Sequence, residues 1–254
     1  MKKLIALVLA LAMCFALMTA CGKKGPSLKQ VKKSGKLVVA TSPDFAPFES
    51  LENGEVVGIE VEIMKLICEK LGVELEIAQM DFESVLPGVQ AGKYDCGMSG
   101  ITITEDRQKN MLFTIPYYNA AQVIVVQDGS TIKGKADLAG KTVSVQTGTT
   151  AESTCQDEDI AFQAFNANAD AKAALTTGKV DAWIVDNLTA LQMVADGDGL
   201  VILDEKLTEE PYAFAFAFGS EDLVEEINKY LTAMIDDGTI EEIFTEFGED
   251  YMKP

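Results

Sequence analysis

The chain has 254 residues, 48% of them apolar and 24% charged, with 21 basic against 40 acidic side chains and no histidine. That is too polar for a polytopic membrane protein, too apolar for disorder, and long enough for one large domain or two lobes with their own cores. A formal charge of −19 argues against nucleic acid as a partner, and the missing histidine removes the Ser-His-Asp triad, the Cys-His pair and every His-containing metal site.

Residues 1–20 read as a secretory signal: Lys2 and Lys3, fifteen residues without a charge, then Thr19-Ala20. The apolar run is shorter than the roughly 20 residues that span a bilayer. Cys21 follows directly in a stretch that looks like a bacterial lipobox, with Met18 where leucine is usual, and is the expected lipid attachment site. Residues 21–33 are expected to tether the anchor to a globular body, Gly22 to Ser27 being free of bulky apolar side chains. Beyond them lie only Cys68, Cys96 and Cys155, an odd number in no metal-ligand spacing, with Cys68 and Cys96 placed as core residues.

The body alternates strands and helices. A buried strand is expected at 37–40, a helix at 61–71 from apolar residues at 61, 64, 67, 68 and 71, and a strand at 73–77 from period-two alternation. A helix at 84–91 and strands at 94–97 and 121–126 complete the first round. After a turn-rich break at 127–130, strands are expected at 142–145 and 180–185 and helices at 169–177 and 188–195. A strand at 212–218, with Phe214, Phe216 and Phe218 on one face, precedes acidic helices at 221–237 and 240–247. The rhythm implies an α/β fold with mostly parallel sheets flanked by helices.

Gly58-Ile59-Glu60-Val61-Glu62-Ile63, running into apolar positions at helical spacing, resembles the fingerprint of the bacterial extracellular solute-binding proteins of family 3. TSPDFAPFE at 41–49, GMSGITITEDR at 97–107, LAGKTVSVQTGTT at 138–150 and VDAWIVD at 180–186 match that family in the same order. The resemblance implies a two-lobed type II periplasmic-binding-protein fold. The expected lobes are residues 34–119 with 214–254, and residues 120–213, with crossings near 118–121 and 210–214.

The chemistry of those blocks suits a free amino acid. Arg107 can hold a carboxylate through two parallel hydrogen bonds, Thr149 and Thr150 follow Gly148 at a helix start, and Asp186 ends a strand where it can receive an ammonium. By resemblance, Arg107, Thr102 and Thr150 meet the ligand carboxylate. Asp186 takes the ammonium with the Gly100 carbonyl and the Thr102 hydroxyl, and Phe45 and Phe82 sandwich the side chain. Asp44, Ile101, Gln146 and Thr149 complete the expected set, with Asp44, Glu49 and Gln146 as the candidate discriminators of the side chain; Trp183 is placed in the core and Asp181 is given no ligand.

No second cation accompanies Arg107, so an uncharged polar or basic amino acid is expected and aspartate and glutamate are disfavoured. The implied partners are the ligand, the membrane subunits of an ABC importer and the bilayer through Cys21. The protein is expected to be an extracytoplasmic monomer without cofactor or metal. The competing reading is a cyclohexadienyl dehydratase-like enzyme with Asp44 or Glu49 as its acid.

Overall fold

A computed structural model describes residues 24–254 apart from residue 196. The expected signal at 1–20 and lipid attachment at Cys21 lie outside the described residues. In chain order the first elements are α1 (Leu28–Ser34), β1 (Lys36–Thr41), β2 (Asp44–Phe45), β3 (Glu49–Glu52), β4 (Glu55–Val57), α2 (Ile59–Leu71), β5 (Glu74–Gln79), α3 (Phe82–Gln90), β6 (Cys96–Gly97), α4 (Glu105–Gln108), β7 (Leu112–Phe113) and β8 (Tyr118–Ala120). Next come β9 (Gln122–Gln127), β10 (Thr142–Gln146), α5 (Thr150–Asp157), β11 (Ala161–Phe165), α6 (Asn168–Thr176), β12 (Ala182–Asp186), α7 (Asn187–Met193) and β13 (Leu200–Lys206). The chain closes with β14 (Glu210–Tyr212), β15 (Ala215–Phe216), α8 (Glu221–Asp236) and α9 (Thr239–Glu246).

Two five-stranded sheets organise these elements, in the orders β5-β1-β6-β15-β7 and β11-β10-β12-β9-β13. In the first, β1 runs parallel to β5 and β6, whereas β15 is antiparallel to its neighbours. In the second, β10 runs parallel to β11 and β12, and β9 is antiparallel to β12 and β13. The chain passes between the sheets at β8 and β14, which pair antiparallel with Tyr118 opposite Tyr212. These two paired strands are the hinge between the sheets.

Helix α2 explains the sequence fingerprint. Ile59, Ile63, Met64, Ile67 and Leu71 are buried on one face, and Gly72 ends the helix in the left-handed conformation, returning its N–H to the Cys68 carbonyl. Gly58 has φ +141°, and an added Cβ would lie 2.1 Å from the Phe48 carbonyl oxygen, so a side chain there would force the backbone apart. Trp183 is fully buried against the α6 side of the second sheet, as its apolar strand implied. Cys68, Cys96 and Cys155 are buried and form no disulfide among the described residues.

Three expectations need correction. Residues 28–33, the end of the expected tether, belong to α1, because Ser27 and Gln30 make a capping box and Val31 buries its side chain in the first core. The strand at 212–218 is two short strands, and Phe218 is 47% exposed while Phe214 and Phe216 are fully buried. It falls beyond β15, where the alternation ends at the Gly219 turn. The strand at 94–97 shrinks to its last two residues, β6.

Candidate functional site

Four segments at the carboxyl ends of parallel strands converge on one cleft. They follow β1 (Asp44, Phe45), β6 (Ser99, Gly100, Thr102) and β10 (Gln146, Thr149, Thr150), and end β12 (Asp186). Phe82 opens α3 and Arg107 sits on α4, completing the lining. Ligands of open α/β sheets bind at such strand ends, because the loops and helix N-termini there present unpaired polar groups.

Arg107 is held from both lobes. Thr104 caps α4 through the Arg107 N–H, and the guanidinium donates to the Thr102 carbonyl at 2.9 Å and to the Gly148 carbonyl at 3.2 Å, the latter in the other lobe. Its carbon lies 5.9 Å from the centre of the Phe82 ring. Among the described residues it forms no ion pair, and Asp106 instead pairs with Lys109 at 2.5 Å. Burial pulls the guanidinium below its ordinary value, and the carboxylates of Glu210 and Asp186 oppose that shift.

Asp186 precedes α7 but makes no side-chain capping bond. Its carboxylate turns to Tyr212, whose hydroxyl donates at 2.5 Å, and to Gln122, whose amide donates at 3.0 Å. Burial, and then the neighbouring Glu210, push Asp186 up to about 7 against those two hydrogen bonds. A carboxyl raised by desolvation and a like charge, lying in a cleft, is a candidate functional group.

Glu210 was not legible as a site residue. It is buried on the hinge strand β14, and one of its oxygens accepts the Thr102 hydroxyl at 2.5 Å and the Thr150 hydroxyl at 3.0 Å. The Thr150 oxygen also accepts from the Gln122 amide at 3.1 Å. Each hydroxyl has a single proton, so both are spent on Glu210 and what remains is acceptor capacity. The two hydroxyls therefore have only lone pairs to offer a further group, whereas Arg107 and the N–H groups of the α5 first turn offer donors.

At the other end of the cleft Asp44 accepts from the Ser42 hydroxyl at 2.9 Å, the Gln146 amide at 3.1 Å and the Asn168 N–H at 2.9 Å. The last two donors belong to the second lobe, and Asn168 begins α6, so this carboxylate also caps a helix across the cleft. Thr149 spends its hydroxyl on the Gln146 carbonyl and caps α5. Ile101 does not line the cleft; its side chain is fully buried with Val85 and Met111. Glu49 does not line it either, being wholly buried behind Ser99. Ser99 takes a place on the lining that the sequence had not assigned.

Residues 37–250 match the pattern of the bacterial extracellular solute-binding proteins, family 3. The chain belongs to this family. The arginine-binding extracellular protein ArtP of Bacillus subtilis is 35% identical to it over 250 residues, covering 96% of each chain. The structure of the arginine-bound form of truncated ArgBP from T. maritima superposes with a TM-score of 0.78 at 40% identity, covering 81% of this chain and 99% of that one. The ancestral amino acid-binding protein AncCDT-1, a precursor of cyclohexadienyl dehydratase, superposes with a TM-score of 0.80 at 32% identity, covering 87% and 98%. The two-lobed family 3 fold thus accounts for both sheets and the paired hinge strands.

Proposed function

We propose that this protein is the receptor of an ABC importer for a basic amino acid, L-arginine foremost, held as a zwitterion between two closing lobes. The observation that carries this reading is that Arg107 and Asp186, on different lobes, line the same cleft. The ligand carboxylate meets the guanidinium, the ammonium meets Asp186, and only the closed form offers both, so binding shifts the population toward closure. The lobes are residues 34–119 with 214–254, and 120–213. Residues 1–20 direct export, and Cys21 anchors the monomer outside the cell membrane.

Charge balance selects the side chain. Asp44 and Asp186 line the cleft with Arg107, and Glu210 lies directly behind it. A zwitterion adds nothing to that excess of acid, an acidic side chain worsens it, and a basic one offsets it. The rings of Phe45 and Phe82 provide faces for a planar guanidinium, with Asp44 as its carboxylate partner. ArtP and arginine-bound ArgBP lend the same choice support. The protein acts as a receptor and not as a dehydratase: Asp44, the cleft acid that could protonate a substrate, is engaged by three donors, and the ammonium partner Asp186 is retained.

A thermal-shift panel of the twenty amino acids tests the reading. L-Arginine at 100 times its Kd adds about 2.7 kcal/mol, and Asp44→Asn shrinks the arginine shift more than any shift by an uncharged amino acid. Stabilisation by glutamate alone would refute the proposal. The pH dependence follows from Asp186, pushed up to about 7. The ammonium needs the ionised carboxylate, so affinity rises up to about tenfold per pH unit on approach to 7 and levels off above it. In the empty protein the sign is opposite: the stability from the raised value is complete below the unfolded value near 4 and is lost as pH rises through about 7. Calorimetry from pH 5 to 8.5 reads the first effect, and a flat profile would remove Asp186 from the ammonium site.

A further inference from the structure

Behind the Ser99–Thr102 segment of the cleft two carboxyl groups are buried with no cation between them. Glu49 opens β3 and Glu60 is the second residue of α2; both are fully buried, and they lie close enough for each to shift the other's titration. Neither takes part in an ion pair among the described residues. Glu60 accepts the Gly100 N–H at 2.9 Å through one oxygen and the Tyr117 hydroxyl through the other. Glu49 accepts the Ser99 hydroxyl at 2.9 Å, and the Ser99 oxygen in turn accepts the Ser42 N–H at 3.1 Å. The second oxygen of Glu49 has no donor.

Two ionised carboxylates in contact, away from water and from any cation, repel too strongly to persist. One proton removes the conflict, and the donors decide where it sits. Glu60 has two donors that favour its charge, while the second oxygen of Glu49 is satisfied only if it carries a hydrogen and gives it to Glu60. We infer that Glu49 is a carboxylic acid donating to a Glu60 carboxylate, and that this pair positions Ser99 and Gly100 against the ligand. Gly100 has φ +52°, and an added Cβ would lie 2.4 Å from the Phe45 ring, so the Gly100 backbone is pressed between the pair and one aromatic wall of the cleft. Glu49 and Glu60 are positioning residues, since neither lines the cleft, and their role rests on the amino acid-binding reading above.

The surroundings agree with one shared proton. Burial, then Glu60, raise Glu49 well above the ordinary carboxyl value, with Asp44 adding to the rise. Burial also raises Glu60, opposed by its bonds with Glu49, Tyr117 and Gly100. The other titratable groups facing the pair are Tyr117 and Cys96, both pushed well up and therefore neutral.

Infrared difference spectra of the full chain, wild type minus Glu49→Gln, should show the C=O stretch of a protonated carboxyl at neutral pH. In calorimetry Glu49→Ala should weaken L-arginine binding tenfold or more. Glu49→Gln should restore affinity to within about threefold of wild type, because its amide donates to Glu60 as the acid does. Absence of the acid band, or a glutamine variant as weak as the alanine one, would overturn the inference. The band is read without ligand, so it stands even where Glu49→Ala does not fold. A wild-type protein that shows the band but binds no arginine would sink the functional reading and leave the shared proton intact.

Discussion

Asp186→Asn is expected to weaken L-arginine binding by a hundred- to several-thousand-fold while raising the melting temperature of the empty protein. The first effect is the ~3–5 kcal/mol lost when one partner of a buried charge pair is removed. The second follows from the empty cleft, where Asp186 faces Glu210 and is already pushed up to about 7 by burial and that neighbour. An amide keeps the bond from the Tyr212 hydroxyl and removes the repulsion. Binding sites commonly give up stability for function in this way. Thermal melts with and without arginine read both effects at once, and a variant that melts lower when empty would contradict the electrostatic account of this group.

Arg107→Met is expected to act with the opposite sign on the empty protein. The guanidinium is the cation that Glu210 and Asp186 hold in its charged form. Its loss leaves two carboxylates facing each other and deletes the bond to Gly148 that ties the lobes. Arginine affinity should fall by roughly the same ~3–5 kcal/mol, and the empty protein should melt lower. Arg107→Lys keeps the charge but not the fork, and loses one charge-assisted hydrogen bond worth about 1.5–3 kcal/mol, or roughly tenfold to a hundredfold in affinity. A lysine variant that binds as the wild type does would show that charge alone, without bidentate geometry, holds the carboxylate.

The alternation of strands and helices was legible where burial is one-sided and the caps are strong. Helix α2 is the clearest case, with its apolar stripe and Gly72 stop. Strand β11 was missed because residues 161–165 are mostly exposed at a sheet edge and carry no clean alternation, and β13 because it ends in exposed charges. The β2–β4 sheet consists of strands of two to four residues, too short for a period to declare itself. Arg107 and Asp186 could be named because their blocks carry a recognisable order of residue types. Glu49 stands among the candidate discriminators because nothing in a sequence says which way an acid after Phe48 points. Glu210 was passed over because its role exists only once the hinge strand brings it between Thr102 and Thr150, residues far apart along the chain.

The central claim is that opposite charges on the two lobes grip the two charges of one α-carbon. Calorimetric titration with L-arginine, with agmatine, which lacks the carboxylate, and with 5-guanidinopentanoate, which lacks the ammonium, tests it most directly. The account predicts that each analogue binds at least roughly a hundredfold more weakly than L-arginine, since each leaves one buried charge unpaired. Either analogue binding within tenfold of L-arginine would mean that the guanidinium end alone is recognised, and the two-charge grip would be wrong.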